Sequence, residues 1–245
     1  MEIMKFPHGS LCLCLMIFLI FGCVKHEKNT ALKRDKNGKA SSDLVESEMM
    51  LKVGECLVCH GTKEAQRGPI LDGMEYWYLF EQLQKFHNGT RGQNPDNRSE
   101  YLMGVGVRKI DNAVEMAYLA NWFADRPVQP AIRTIRGDIS AGKKIYEKRC
   151  LNCHGVEAEG KREMQSPALS RLEGWYFYEQ MRKFRNNSRG YHPRDLAGQT
   201  MAAASKELSD GDIRDVVAYV VENFGPVEAA SQRDKYLPAR SAKPF

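Results

Sequence analysis

Cys56-Leu-Val-Cys59-His60-Gly61 recurs as Cys150-Leu-Asn-Cys153-His154-Gly155, ninety-four positions further along the 245-residue chain. Downstream of each copy the likeness continues at an offset of 98. Pro69, Leu71, Glu75, Trp77-Tyr78, Glu81-Gln82, Lys85-Phe86, Asn88 and Arg91-Gly92 return as Pro167, Leu169, Glu173, Trp175-Tyr176, Glu179-Gln180, Lys183-Phe184, Asn186 and Arg189-Gly190. These are half of the 24 positions from 69 to 92, and the change in offset places a four-residue insertion in the loop-like stretch around Glu157–Met164. The chain therefore holds a tandem duplication of units near ninety residues, too few copies and too long a period for a solenoid.

Each copy reads as helical. Leu44, Val45, Met49 and Val53 set a helical period into the first cysteine pair, with Ser41 or Ser42 as cap, and Ser140 precedes the matching stretch with Ile145 and Tyr146. Met74–His87 and Leu172–Arg185 carry apolar and aromatic residues at helical spacing among Glu, Gln and Lys. The last helix of each copy follows a polar start, Asp111 before Ala113–Phe123 and Ser209-Asp-Gly-Asp212 before Ile213–Phe224, the latter a capping-box spacing. No segment sustains strand alternation, so the expected fold class is all-α.

Composition narrows the function. With 42% apolar and 27% charged residues the chain suits a globular protein and not a disordered or collagenous one. Thirty-six basic against 31 acidic residues leave +5, too modest an excess to call for nucleic acid. That excess lies in the connectors: residues 24–42 carry +4, 126–137 +3 and the tail +2, whereas 43–125 carry −5 and 138–224 only +1.

Cys-x-x-Cys-His is the attachment signature of c-type haem. The two thiols add across the haem vinyl groups, and the histidine that follows falls beneath the iron. On composition alone about 0.005 such motifs are expected in a chain of this length; two stand at equivalent places in a repeat. A structural zinc site needs four closed ligands where each motif offers three, and a thioredoxin-like pair expects a βαβ context. A disulfide across so short a loop is strained. The expected cofactors are two covalently attached c-type haems, bound through Cys56, Cys59, Cys150 and Cys153, with His60 and His154 as proximal iron ligands.

For the sixth ligand the repeat discriminates. Met103 lies thirty-four positions after Pro69 and Met201 thirty-four after Pro167, each in what reads as a loop of small residues, Met103-Gly-Val-Gly and Met201-Ala-Ala-Ala. Met74 and Met181 align with leucines, as core fillers do, and His87 and His192 align with Arg185 and Asn94. Met103 and Met201 are the expected ligands, with a bis-histidine second haem through His192 as the alternative. A thioether opposite an imidazole fills both axial positions and raises the potential, which suits electron passage and not bond chemistry.

The amino terminus reads as an export signal: Lys5, the apolar run Leu11–Phe21, then Gly22 directly before Cys23. It resembles a bacterial lipoprotein signal, which implies lipidation of Cys23 and stable anchoring by more than one acyl chain. An ordinary signal cleaved nearby, or an uncleaved interfacial anchor, are the other readings. The expected organisation is a signal peptide at 1–22, a flexible tether at 23–42, domains at 43–125 and 138–225 joined by a linker at 126–137, and a tail at 226–245.

Over residues 46–225 the sequence resembles the dihaem class I cytochromes c of the cytochrome c4 type. The carrying residues are the two Cys-x-x-Cys-His-Gly motifs, Gly68-Pro69, the stretch from Glu81-Gln82-Leu83 to Arg91-Gly92, Met103, and their second copies through Asp212-Ile213 and Tyr219. Ser166 stands where Gly is expected before Pro167, and Asn187 where Gly matches Gly89. The resemblance implies two tandem class I cytochrome c domains, each wrapped around one covalent haem. It also implies that the carbonyls of Pro69 and Pro167 orient His60 and His154, and that the haem propionates of the two domains face each other. From it follows a role for Arg91 and Arg189 as propionate partners; solvent-exposed arginines favouring a helix C-terminus are the alternative.

Three function classes follow. The first is a carrier of single electrons in a periplasmic or membrane-surface respiratory chain, from a quinol-oxidising complex to a terminal oxidase. The second is a fixed cytochrome subunit of a larger dehydrogenase or oxidase. A peroxidase-like or thiosulfate-oxidising dihaem enzyme is the third; it needs an open iron position or a cysteine ligand, and no cysteine remains after haem attachment, the anchor and the loss of Cys12 and Cys14 with the signal. The expected partners are a redox donor and acceptor and, through the lipid, the membrane.

Overall fold

A computed structural model describes residues 42–61, 68–129 and 134–226. The signal, Cys23, most of the tether and the tail beyond Pro226 lie outside the described residues.

The first half contains α1 (Ser42–His60), α2 (Tyr76–His87), α3 (Arg98–Val107) and α4 (Ala113–Ala124). The second contains α5 (Ile139–Arg149), the short α6 (Leu151–His154), α7 (Gly174–Arg185), α8 (Leu196–Ser205) and α9 (Asp210–Phe224). Among the described residues there is no strand, only one isolated bridge between Lys161 and Ser166 in the insertion, where Arg162–Met164 forms a 3-10 turn. The all-α expectation holds.

Local chemistry sets the helix ends. α9 begins with a capping box, Ser209 Oγ accepting from Asp212 N while Asp212 Oδ2 accepts from Ser209 N. At α4 the cap is Asn112 and not Asp111: Asn112 Oδ1 accepts from Val114 N and Glu115 N. Asp138 caps α5 in the same way, so that helix starts one residue ahead of Ser140. α2 and α7 start at Tyr76 and Gly174, two residues later than the apolar pattern, because Glu75 and Glu173 are extended.

In each half the first and last helices pack together. Met49 and Val53 of α1 meet Met116 and Leu119 of α4, with Lys52 paired to Glu115 across the crossing. α5 crosses α9 at Gly142, where an added Cβ would lie 2.0 Å from the Asp215 carbonyl oxygen; only glycine permits that approach. The Tyr146 hydroxyl, buried beside Tyr219, donates to Gly155 O at 2.6 Å and ties α5 to the segment after His154. A continuous core joins the halves, since Met74, Leu79, Ala120 and Phe123 belong to one cluster with Leu172, Phe177, Met181 and Val217.

Candidate functional site

α1 carries Cys56, Cys59 and His60 on its last turns, and α5–α6 carries Cys150, Cys153 and His154. All four cysteines are free thiols, partly buried. Burial pushes the Cys56 thiol up to about 11 and the Cys150 thiol up to about 12, so neither is a ready thiolate.

The two histidines are held alike. His60 Nδ1 lies 2.7 Å from Pro69 O and His154 Nδ1 lies 2.9 Å from Pro167 O. A carbonyl can only accept, so the ring proton sits on Nδ1 and the Nε2 lone pair is left over. Burial pushes both imidazoles below their ordinary value, against the smaller opposing pull of the proline carbonyls. Each is a neutral imidazole held in one tautomer. His154 Nε2 is buried without a hydrogen-bond partner, a costly state for a polar atom that has nothing to coordinate. Gly68 makes room on the other side: a Cβ there would sit 2.6 Å from His60 Cε1.

His154 and Met201 line one pocket, together with Leu169, Tyr176 and Phe184. Its wall reaches across to Tyr78 and Gln82 of the first half. In the first half Met103 packs against the cluster containing Val53 and Phe86. Both methionines stand on helices, Met103 in α3 and Met201 in α8, and not in loops as their small neighbours led us to expect. Alanine favours helix, and the small residues serve packing instead: a Cβ on Gly104 would lie 2.7 Å from Gly92 O. His192 accepts from Arg194 N through Nδ1 and does not line the His154 cavity. His87 meets Ile110 O at 3.0 Å.

Arg91 and Arg189 are buried, 4% and 6% exposed, which overturns the exposed helix-end alternative for them. They meet at the pseudo-twofold seam of α2 and α7. Arg91 donates to Gln82 and Gln180 at 2.7 and 2.9 Å, and Arg189 donates to Gln180 and Gln82 at 2.8 and 3.2 Å. Sequence reasoning missed the carboxylate between them. Glu100, 4% exposed, accepts from Arg91 at 2.7 Å and lies 3.7 Å from Lys183 of the other half. Burial alone would raise its pKa, but Arg91, and after it Arg189 and Lys183, hold the carboxyl at about 2. The repeat register hid it, because position 198 in the second copy is glycine. Asp195 takes the corresponding place, paired with Lys85 at 2.8 Å. Arg91 Nε and Glu100 Oε2 have no partner among the described residues.

Asn187, the residue in place of the glycine matching Gly89, takes φ 60° beside the 78° of Gly89. Asparagine tolerates that left-handed turn, so the departure costs the fold little.

Helices closing on a Cys-x-x-Cys-His turn with a proline-held histidine, both in duplicate, and a methionine-lined pocket in the second half define a dihaem class I cytochrome c fold of the cytochrome c4 type. The cytochrome c family matches residues 139–223, so the second half is a cytochrome c domain. The chain shares its fold with cytochrome c4 of Acidithiobacillus ferrooxidans, at a TM-score of 0.56 and 22% identity over 69% of this chain and 98% of that one. The thiosulfate dehydrogenase electron acceptor of Thiomonas intermedia is 24% identical over 197 residues, 74% of this chain and 85% of that protein. FixP, a cbb3-type cytochrome c oxidase subunit of Bradyrhizobium, is 31% identical over 121 residues, 47% of this chain. The chain spans about two fifths of FixP, 41%. A covalent c-type haem on Cys150 and Cys153 fits the orphaned His154 Nε2 and the pocket before it, and the haem of Cys56 and Cys59 has the matching proline-held His60. Electron transfer is the activity of the class.

Proposed function

We propose that this chain is an electron carrier, taking single electrons from a quinol-oxidising complex and delivering them to a terminal oxidase. It works at the periplasmic face of a bacterial membrane, exported and anchored by lipid on Cys23. The observation that carries the reading is the cavity that places His154, with its bare Nε2, and Met201 on one wall system. His60 with Met103 and His154 with Met201 would hold the two haem irons. When bound, haem iron supplies a one-electron couple, which thioether ligation raises. The protein does the rest. Pro69 and Pro167 lock the imidazole tautomer, Met103 and Met201 close the remaining position, and buried α2 and α7 side chains exclude water from the seam. Arg91 and Arg189 supply two buried cations where haem propionates from both halves can be neutralised.

A second reading draws on the relatives: the chain accepts electrons from a dehydrogenase, or serves as a fixed subunit of an oxidase, as the names of the Thiomonas and Bradyrhizobium proteins describe for them. Visible spectra of the oxidised and reduced protein, with and without carbon monoxide, test the closed sites. Both haems are expected to be low spin and indifferent to carbon monoxide. Met103→Ala and Met201→Ala should each open one haem to the gas. A wild-type haem that binds carbon monoxide readily overturns the carrier reading in favour of a peroxidase-like enzyme. Reduction by a donor that slows with added salt favours the transient carrier, since screened surface charges steer encounter; salt-independent reduction favours the fixed subunit.

A further inference from the structure

The proline peptides that hold the histidines are each hydrogen-bonded a second time, by the opposite half. The amide of Ile70, which shares its peptide unit with the Pro69 carbonyl, donates to Glu173 Oε2 at 2.9 Å. In mirror fashion the amide of Ala168, joined to the Pro167 carbonyl, donates to Glu75 Oε1 at 3.0 Å. The two contacts span 103 and 93 residues, yet they are the same contact by the repeat, since Glu75 and Ile70 correspond to Glu173 and Ala168. Both glutamates are the N-cap residues of α2 and α7, and neither side chain caps its own helix. Each sits at the N-terminus of a helix, and Glu173 is 3% exposed.

We propose that each of these carboxylates is a positioning residue for the haem of the other half: Glu173 acts on His60 and Glu75 on His154. The route is one peptide unit long. A carboxylate on the N–H side polarises the amide, which makes its carbonyl a stronger acceptor for the histidine Nδ1–H. Proton density drawn toward the carbonyl leaves Nε2 more basic, and a more basic ligand favours the oxidised iron and lowers its potential. Because the wiring is reciprocal, closure of the seam between the halves tunes both sites together. A half moved away from its partner would lose the carboxylate and gain potential.

This inference rests on the haem-ligand reading above, and spectroelectrochemical titration of the full-length holoprotein separates the two, with each couple assigned through haem-methyl resonances. Glu173→Gln keeps an acceptor for the Ile70 amide and removes the charge. It should shift the reduction equilibrium of the haem on Cys56 and Cys59 by about tenfold, which is about 59 mV upward for a one-electron couple. The other couple should move by less than a third of that. Glu75→Gln should give the mirror result on the haem of Cys150 and Cys153. Equal movement of both couples, movement chiefly of the carboxylate's own half, or no movement in a low-spin variant overturns the inference. A wild-type spectrum without low-spin haems fails the ligand reading instead. Amide exchange of the wild type provides a check that needs no variant: the Ile70 and Ala168 amides are expected to be strongly protected, and rapid exchange at both overturns the inference.

Discussion

Replacing Glu100 with Gln removes the negative charge from a cluster that holds Arg91, Arg189 and Lys183 together at the seam. The folded protein holds this carboxyl at about 2 where an exposed glutamate sits near 4.5. At 1.36 kcal/mol per pH unit that difference is worth about 3 kcal/mol of folding stability. Breaking a buried pair by removing one partner costs about 3–5 kcal/mol by independent measure, so the two agree on the order of magnitude. The sign follows from the direction of the depression. The contribution is fully present above pH 4.5, declines as the pH falls through the window from 4.5 to 2, and is gone below it. Urea unfolding of the holoprotein at pH 7 should therefore place Glu100→Gln about 3 kcal/mol below the wild type. At pH 2 the gap should shrink to about 0.4 kcal/mol, because the wild-type carboxyl is then about half protonated. A variant within 1 kcal/mol of the wild type at pH 7, on the order of an exposed pair, or a gap that persists unchanged at pH 2, refutes the reasoning. Either result would mean that Arg91 draws its compensation from elsewhere.

Two further outcomes are expected. Gly142→Ala brings a Cβ within 2.0 Å of the Asp215 carbonyl oxygen and must spread α5 from α9, so it should cost about 3 kcal/mol or more in urea unfolding; a loss below 1 kcal/mol would show that the crossing can relax. Ser209→Ala deletes one half of the α9 capping box and should cost about 1 kcal/mol, read as a lowered midpoint in thermal unfolding. Ser209→Asn should recover most of that loss, and failure to do so would assign the effect to something other than the cap.

The haem chemistry was legible because it is local. Cys56, Cys59 and His60 act together on consecutive helical turns, so spacing alone carries their meaning, and duplication repeats it at Cys150, Cys153 and His154. The capping box at Ser209 and Asp212 is equally local. Register and not pattern singles out Met103 and Met201 as candidates, and the small residues next to them pack helices against backbone and do not mark loops. Arg91 and Arg189 stood out as repeated positions, yet nothing near them along the chain tells whether they face water or the seam.

What the chain order alone determined is the pair of attachment motifs, the twofold repetition and the helical class, all matters of neighbours within a few turns. Tertiary structure decided how one copy completes the other. Glu75 and Glu173 are identical in both copies, but their partners lie about a hundred residues away in the opposite half, and repetition cannot say whether a side chain serves its own copy or its twin. Glu100 has no counterpart at all, and only burial beside Arg91 makes it matter. A charge in water is cheap to leave unpaired, whereas a charge taken into a low-dielectric seam must find its partner there, and that partner is chosen by the fold.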